Sequence, residues 1–133
     1  MFLNTSGLGL GETGDSFKLQ VLSAGLQAAA QGLGASRVDV IGICETKQGG
    51  GSYLDAAAEG IGFYVAARQD REAGAGGVAL LVRDGVDAVP LECGEAHDER
   101  GKLLIEVCAC LLIGGGQRRQ VVCAYRPPST SRS

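Results

Sequence analysis

The strongest constraint on the fold of this chain is a series of short apolar runs separated by glycine-containing turns. Runs of strand length occupy residues 37–45, 61–68, 77–85, 102–113 and 119–125. Before them, residues 15–34 place leucines at steps of three and four, which is the period of an amphipathic helix. A short extended stub, "MFLN", precedes this helix. The order strand, helix, strand is the signature of an α/β fold.

The rest of the chain predicts mainly antiparallel pairing. A short helix over residues 52–60 precedes two runs that a polar, glycine-containing segment joins, so these runs predict a hairpin. The last two runs flank "GGGQR" and predict a second hairpin. Pro90 has no amide proton to donate to a neighbouring strand, so residues 87–93 predict an edge strand. The pattern fits one mixed sheet with helices on one face, or half of a two-sheet sandwich.

Composition narrows the class of protein. The chain has 133 residues, of which 45% are hydrophobic and 22 are glycine, and a net charge of −3. One globular domain is expected over residues 1–129, with a disordered tail at 130–133. The acidic balance argues against general binding of polyanions. No apolar run approaches the roughly 20 residues that span a membrane, so no membrane partner is expected.

Cysteine usage predicts the cellular setting. The five cysteines are an odd number, and the first residues lack the basic and long apolar regions of a secretory signal. A reducing, intracellular location, nuclear or cytoplasmic, follows. Four of the five lie in apolar runs, where cysteine behaves as a small hydrophobic residue rather than as a metal ligand.

Two polar residues stand at predicted strand ends. Asn4 ends the N-terminal stub, and Glu45 ends the run over residues 37–45. Strand ends in open α/β sheets are where ligands and metals bind, because side chains there leave the core while the backbone stays rigid. If the two strands are adjacent, they bring together two hard oxygen donors suited to Mg²⁺. A solvated acid at a strand end is the alternative interpretation of Glu45.

Tyr125 and Arg126 stand at another strand end. The Pro-Pro pair that follows forbids continuation of the strand, so both side chains are expected at the rim of the sheet. A phenol and a guanidinium there could bind a phosphate, while a tyrosine packed over a proline turn is the alternative. The single histidine, His97, is predicted to be a surface residue in an acidic loop.

Gly9, Gly11 and Gly14 form a literal GxGxxG between the stub and the first helix. In a dinucleotide-binding fold such glycines let the backbone approach a pyrophosphate, and an acid about 20 residues further on binds the ribose. Glu45 lies too far beyond Gly14 for that spacing. A chance match is expected in a chain with 22 glycines, and a nucleotide-binding α/β fold remains the alternative interpretation.

Four short motifs, taken together, resemble a known superfamily. They are "FLNTSGL", "VDVIGICETK", "AGGVALLVRDG" and "RQVVCAYRPPS", in this order. The chain thereby resembles the endonuclease/exonuclease/phosphatase superfamily from Phe2 to Ser129, and most of all the apurinic-type endonuclease domains of non-LTR retrotransposons. Members of that group show an "N-x-x-G-L" strand end, a "Q-E-T" or "T-E-T" strand end, "GGVAILV", and "YRPP" or "YAPN".

The resemblance implies a four-layer α/β sandwich, with a mixed, mainly antiparallel sheet, that hydrolyses phosphodiester bonds of DNA with Mg²⁺. Asn4 matches the family's active-site asparagine, which helps to hold the metal and phosphate. Glu45 matches the glutamate that binds Mg²⁺. Tyr125 matches the active-site tyrosine that contacts the scissile phosphate. The resemblance gives Arg126 no catalytic role.

The resemblance covers the N-terminal half of such a domain. The second half of the family's domain supplies a "GDFN"-like and an "SDH"-like strand end, and neither occurs in the 133 residues. We therefore expect weak Mg²⁺ binding and no cleavage by this chain alone, with the missing half of the domain as its partner. The alternative is a catalytically dead module that binds nucleic acid or protein through an uncovered sheet face and the arginine-rich C-terminal end, residues 117–133. Self-association through the uncovered sheet face is also expected.

Overall fold

The computed structural model describes residues 2–4, 24, 38–44, 53–69 and 77–126. Within this part of the chain the secondary structure is dominated by strands. One helix with both ends described, α1, spans Tyr53–Gly60. The strands are β1 (Phe2–Asn4), β2 (Val40–Cys44), β3 (Phe63–Gln69), β4 (Val78–Arg83), β5 (Asp87–Pro90), β6 (Gly94–His97), β7 (Leu103–Gly114) and β8 (Gln117–Tyr125).

The strands form two four-stranded sheets. In the first sheet the order is β1-β2-β4-β3, with β1 and β2 parallel and the other pairs antiparallel. In the second sheet β8 pairs with β7 along most of its length, while β5 and β6 pair with successive halves of β7. Only β1 and β2 run parallel within the described residues, so the prediction of mixed, mainly antiparallel pairing is confirmed.

Two apolar clusters hold the layers together. One packs α1, through Leu54 and Ala58, against Ile43 and other side chains of the first sheet. The other fills the space between the two sheets and includes Leu80 of β4 and Cys108 of β7. The layers are therefore helix, sheet and sheet in the described part of the chain.

The expected four-layer α/β sandwich is thus only partly correct. The two packed sheets are present, but the described residues are mostly strand and do not form a pure α/β sandwich of four layers. Large apolar side chains remain exposed on the second sheet: Val89, Leu104, Ile105, Ile113 and Val122. Self-association through an uncovered sheet face stays a prediction.

Several predicted elements are confirmed. The apolar run predicted over residues 37–45 contains an internal strand of the first sheet, since β2 lies between β1 and β4. Both predicted hairpins form, as β3–β4 and β7–β8. Among the strands that the structure describes, β5 pairs with β7 alone, as an edge strand does. The turn between β7 and β8 consists of Gly115 and Gly116, whose φ angles are +56° and +74°. A two-residue turn with positive φ at both positions is the type I′ turn that joins antiparallel strands.

The predicted loop around His97 is wrong, because His97 ends strand β6. The polar sequence there gives little strand propensity, but pairing with β7 supplies hydrogen bonds that decide the local structure. His97 is exposed, as expected of a surface residue. Apart from Ala24, the helix predicted over residues 15–34 lies outside the described residues, as does the expected tail at 130–133.

Arg83 fixes the beginning of β2. Its guanidinium Nε donates a hydrogen bond of 2.8 Å to the carbonyl oxygen of Val38 and lies 3.4 Å from a carboxylate oxygen of Asp39. The same guanidinium stacks on the ring of Phe63, 5.1 Å from its centroid. These contacts hold one end of β2 against β4.

No helix in the described part of the chain is long and apolar enough to cross a membrane.

Tyr64 makes the stability of the fold depend on pH in the alkaline range. Its hydroxyl donates a hydrogen bond to the carbonyl oxygen of Val86. Burial, and then the nearby carboxylate of Asp87, raise the pKa of Tyr64 above its ordinary value of 10.0. A pKa that is higher in the folded than in the unfolded state stabilises the fold fully below pH 10.0. This stabilisation is lost as the pH rises through the folded-state pKa.

We expect Tyr64→Phe to lower the free energy of unfolding by about 1 kcal/mol at neutral pH, because the hydrogen bond is lost. Above about pH 10, the difference between wild type and variant should shrink as the tyrosine ionises in the unfolded state. Urea unfolding of both proteins at matched pH values measures this difference. A difference that stays constant across the alkaline range would contradict the assignment.

Candidate functional site

The first two strands end side by side. In the parallel pair β1–β2, Asn4 lies opposite Cys44, and each is the last residue of its strand. Cys44 is bonded directly to Glu45 in the sequence. The adjacency that the predicted metal site requires is therefore present in the backbone of the two strands.

The end of β8 packs across the end of β2. The Sγ atom of Cys44 lies 4.0 Å from the carbonyl oxygen of Ala124, and Cys123 Sγ lies 3.9 Å from the carbonyl oxygen of Ile43. Ala124 immediately precedes Tyr125, which is partly buried and packs against the cluster between the sheets. Two strand ends that are 80 positions apart in the sequence thus meet at one end of the molecule.

The remaining predicted site residues divide into two groups. Glu45 lies outside the described residues, and so do Gly9, Gly11 and Gly14. Arg126 is described and exposed directly after β8. Among the described residues, no group of three or more His, Cys, Asp or Glu is placed to hold a metal ion.

Glu106 is a residue of this region that the sequence analysis did not single out. It is fully buried, with 0% of its surface exposed, although it carries a carboxyl group. The backbone N–H of Gly77 donates to both carboxyl oxygens, at 3.1 and 3.2 Å. The available signal was one acid inside the apolar run "LLIEVCACLL". Burial of such a group demands compensating hydrogen bonds, so an acid at this position indicates a specific contact.

Glu106 belongs to the same end of the molecule as Tyr125. The two residues lie directly opposite each other in the β7–β8 ladder. Gly77, which hydrogen-bonds Glu106, precedes Val78, and Val78 is the partner of Cys44 in the first sheet. The Glu106–Gly77 hydrogen bonds therefore tie the second sheet to the first beside the strand end of β2.

Gly77 can serve this contact because it is glycine. Its φ angle is +96°, a conformation that residues with a Cβ atom rarely adopt. The residue is also buried. The matched motif "AGGVALLV" thus contains a glycine whose backbone shape brings its N–H to the carboxyl group of Glu106.

All five cysteines lie within or against the cluster between the sheets: Cys44, Cys93, Cys108, Cys110 and Cys123. A hydrogen bond with Cys123, and then burial, raise the pKa of Cys108. The same hydrogen bond from Cys108 lowers the pKa of Cys123 to about 7. Burial, and then Cys93, raise the pKa of Cys110. Cys123 is therefore the thiol of the Cys108–Cys123 pair that ionises first.

A pocket lies at the other end of the second sheet, beside the β7–β8 turn, where Val86, Leu112 and Arg119 line it. It is remote in the ladder from Tyr125, which pairs with Glu106 near the opposite end of β7.

No model of a known protein family matches this chain, and no curated protein matches it either.

Proposed function

We propose that this chain supplies the metal-binding and phosphate-binding part of a Mg²⁺-dependent phosphodiesterase site of the endonuclease/exonuclease/phosphatase type, with DNA as substrate. The observation that supports it most is the meeting of three separate motifs. Asn4 pairs with Cys44, which precedes Glu45, and Cys44 contacts Ala124, which precedes Tyr125. A chance resemblance of short motifs gives no reason for them to converge.

The side chains suit this chemistry. The amide oxygen of Asn4 and the carboxylate of Glu45 are hard oxygen donors, and Mg²⁺ in phosphate-handling sites is commonly bound through one or two carboxylates, waters and the substrate phosphate. Bound Mg²⁺ would neutralise charge on the phosphate oxygens and the leaving alkoxide. The phenol of Tyr125 would donate a hydrogen bond to the phosphate. The exposed guanidinium of Arg126 offers a bidentate contact to the same group.

Cleavage also requires a base that activates water. The 133 residues contain no "GDFN"-like or "SDH"-like strand end. The single histidine, His97, lies on β6 with its Nε2 3.9 Å from a carboxyl oxygen of Glu95. We therefore propose that the chain binds metal and phosphate but does not cleave DNA by itself. Strand β8 lies at the edge of the second sheet in the described residues, which is where further strands of such a domain could pair.

Metal binding by the 133-residue chain tests this proposal without requiring activity. Glu45→Gln removes the carboxylate charge and keeps the size of the side chain. It should weaken binding of Mn²⁺, used as a paramagnetic probe for Mg²⁺, by about tenfold or more, since even partners of metal ligands contribute 10–100-fold. Water-proton relaxation during Mn²⁺ titration measures the dissociation constant.

Glu59→Gln is the matched control, because Glu59 is an exposed carboxylate on α1 and its loss should leave Mn²⁺ affinity unchanged. Equal affinity in wild type and in the Glu45→Gln variant would refute the metal site. A plasmid-nicking assay addresses the second part of the proposal. Nicking by the wild-type chain in Mg²⁺ that Glu45→Gln abolishes would show that this half of the motif set is sufficient for cleavage.

A further inference from the structure

Three cysteines from different parts of the sequence lie together where the two sheets pack. The Sγ atoms of Cys44 and Cys123 lie 3.9 Å apart, although the residues are separated by 79 positions. Cys123 also lies directly opposite Cys108 in the β7–β8 ladder. None of the five cysteines is in a disulfide bond. Hydrophobic packing alone accounts for buried cysteines, but it does not require two sulfurs from opposite sheets to meet.

We propose that Cys44 and Cys123 form an oxidation site, at which a hydroperoxide converts the two thiols into a disulfide that joins the two sheets. This inference goes beyond the proposed nuclease function and does not depend on it. A reducing setting suits such a site, because disulfides in reducing compartments are usually transient and redox-sensing.

Exposure decides which sulfur reacts first. Cys44 is partly exposed, whereas Cys123 is only 1% exposed. A hydroperoxide therefore reaches Cys44. The sulfur of Cys44 attacks the terminal peroxide oxygen, an S–O bond forms, the O–O bond breaks, and the departing oxygen takes the Cys44 thiol proton. The products are a sulfenic acid on Cys44 and an alcohol, or water when the oxidant is hydrogen peroxide.

Cys123 then resolves the sulfenic acid. Its sulfur attacks the sulfur of Cys44, an S–S bond forms, the S–O bond breaks, and the departing hydroxide takes the Cys123 proton to leave as water. Overall, two thiols lose two hydrogen atoms and two electrons, and one peroxide is reduced. The hydrogen bond from Cys108 lowers the pKa of Cys123 to about 7, so the proton that leaves Cys123 in this attack is easily lost.

Cys108 is the competing partner, and access argues against it. Cys108 is 0% exposed and Cys123 is 1% exposed, so neither member of that pair meets an oxidant before Cys44 does. The disulfide between Cys44 and Cys123 would connect the last residue of β2 to a residue of β8 two positions before Tyr125. It would thereby cross-link the sheets next to the candidate site.

The test treats the folded 133-residue chain with equimolar hydrogen peroxide. We expect two of the five thiols to disappear, the intact mass to fall by two hydrogen atoms, and non-reduced peptide mapping to show Cys44 linked to Cys123. The oxidised chain should unfold at a higher temperature than the reduced chain, and dithiothreitol should reverse the shift. The Cys44→Ser variant should keep its remaining thiols, and hydrogen peroxide should not change its unfolding temperature.

Cys110→Ser is the matched control from the same cluster, and it should still form the disulfide. Cys93→Ser, at a partly exposed position, serves the same purpose if Cys110→Ser does not fold. A link between Cys108 and Cys123, a disulfide between two chains, or equal thiol loss in the Cys44→Ser variant would each overturn the proposal. Unchanged thiols in the folded wild type would do so as well.

Discussion

Leu80→Ala is expected to lower the free energy of unfolding by about 3–4 kcal/mol, the largest loss that we expect from a single core substitution in this chain. Leu80 has 0% of its surface exposed and belongs to the cluster between the sheets. It lies on β4, where its ladder partners are Gly42 of β2 and Ala67 of β3. These small neighbours cannot refill the space that the leucine leaves, so a cavity remains.

Chemical denaturation followed by circular dichroism measures the loss. Leu104→Ala is the matched control, because Leu104 is also on a strand but is 49% exposed. Its substitution should change the free energy of unfolding by no more than about 0.5 kcal/mol. Similar losses in the two variants would show that the packing between the sheets contributes less than the structure indicates. A domain of this size has only about 5–15 kcal/mol to lose.

How well the sequence predicts a strand or turn depends on whether the contacts that form it are local in the sequence. The apolar run before Glu45 predicts β2 because an internal strand is apolar on both faces. The glycines after Ile113 predict a turn because both turn positions require positive φ. In contrast, β6 has a polar sequence and forms through pairing with β7, a contact that no local pattern encodes. Local signals therefore predict the hairpins and miss the strand that depends on its neighbour.

The same distinction applies to the candidate site: some of its residues have a local signal in the sequence, and others do not. Asn4 and Glu45 can be singled out from the sequence, because a polar residue directly after an apolar strand is a local signal. The packing of β8 across β2 cannot be, because it depends on how the two sheets stack. Glu106 was missed for a related reason: an isolated acid in a strand is usually exposed, and only the structure places it opposite the N–H of Gly77.

Glu106→Ala is expected to lower the free energy of unfolding by about 2–3 kcal/mol. The substitution leaves the buried N–H of Gly77 without its carboxyl acceptor, and an unsatisfied buried donor costs about 1–3 kcal/mol. The space that the carboxyl group vacates adds a cavity. Glu92→Ala, at an exposed position in the connection between β5 and β6, should change stability by no more than about 0.5 kcal/mol.

Glu106→Gln tests whether one acceptor oxygen at this position is enough for the contact with Gly77. Glutamine keeps the volume and one acceptor oxygen for the N–H of Gly77, so we expect it to lose less than half as much stability as alanine. Equal losses in the two variants would show instead that the fold requires both carboxyl oxygens of Glu106. Because Gly77 precedes the partner of Cys44, the alanine variant should also increase amide hydrogen exchange at Val78 and Cys44 more than at Val82. Uniform exchange along β4 would contradict the view that Glu106 fastens the two sheets at the end that carries the candidate site.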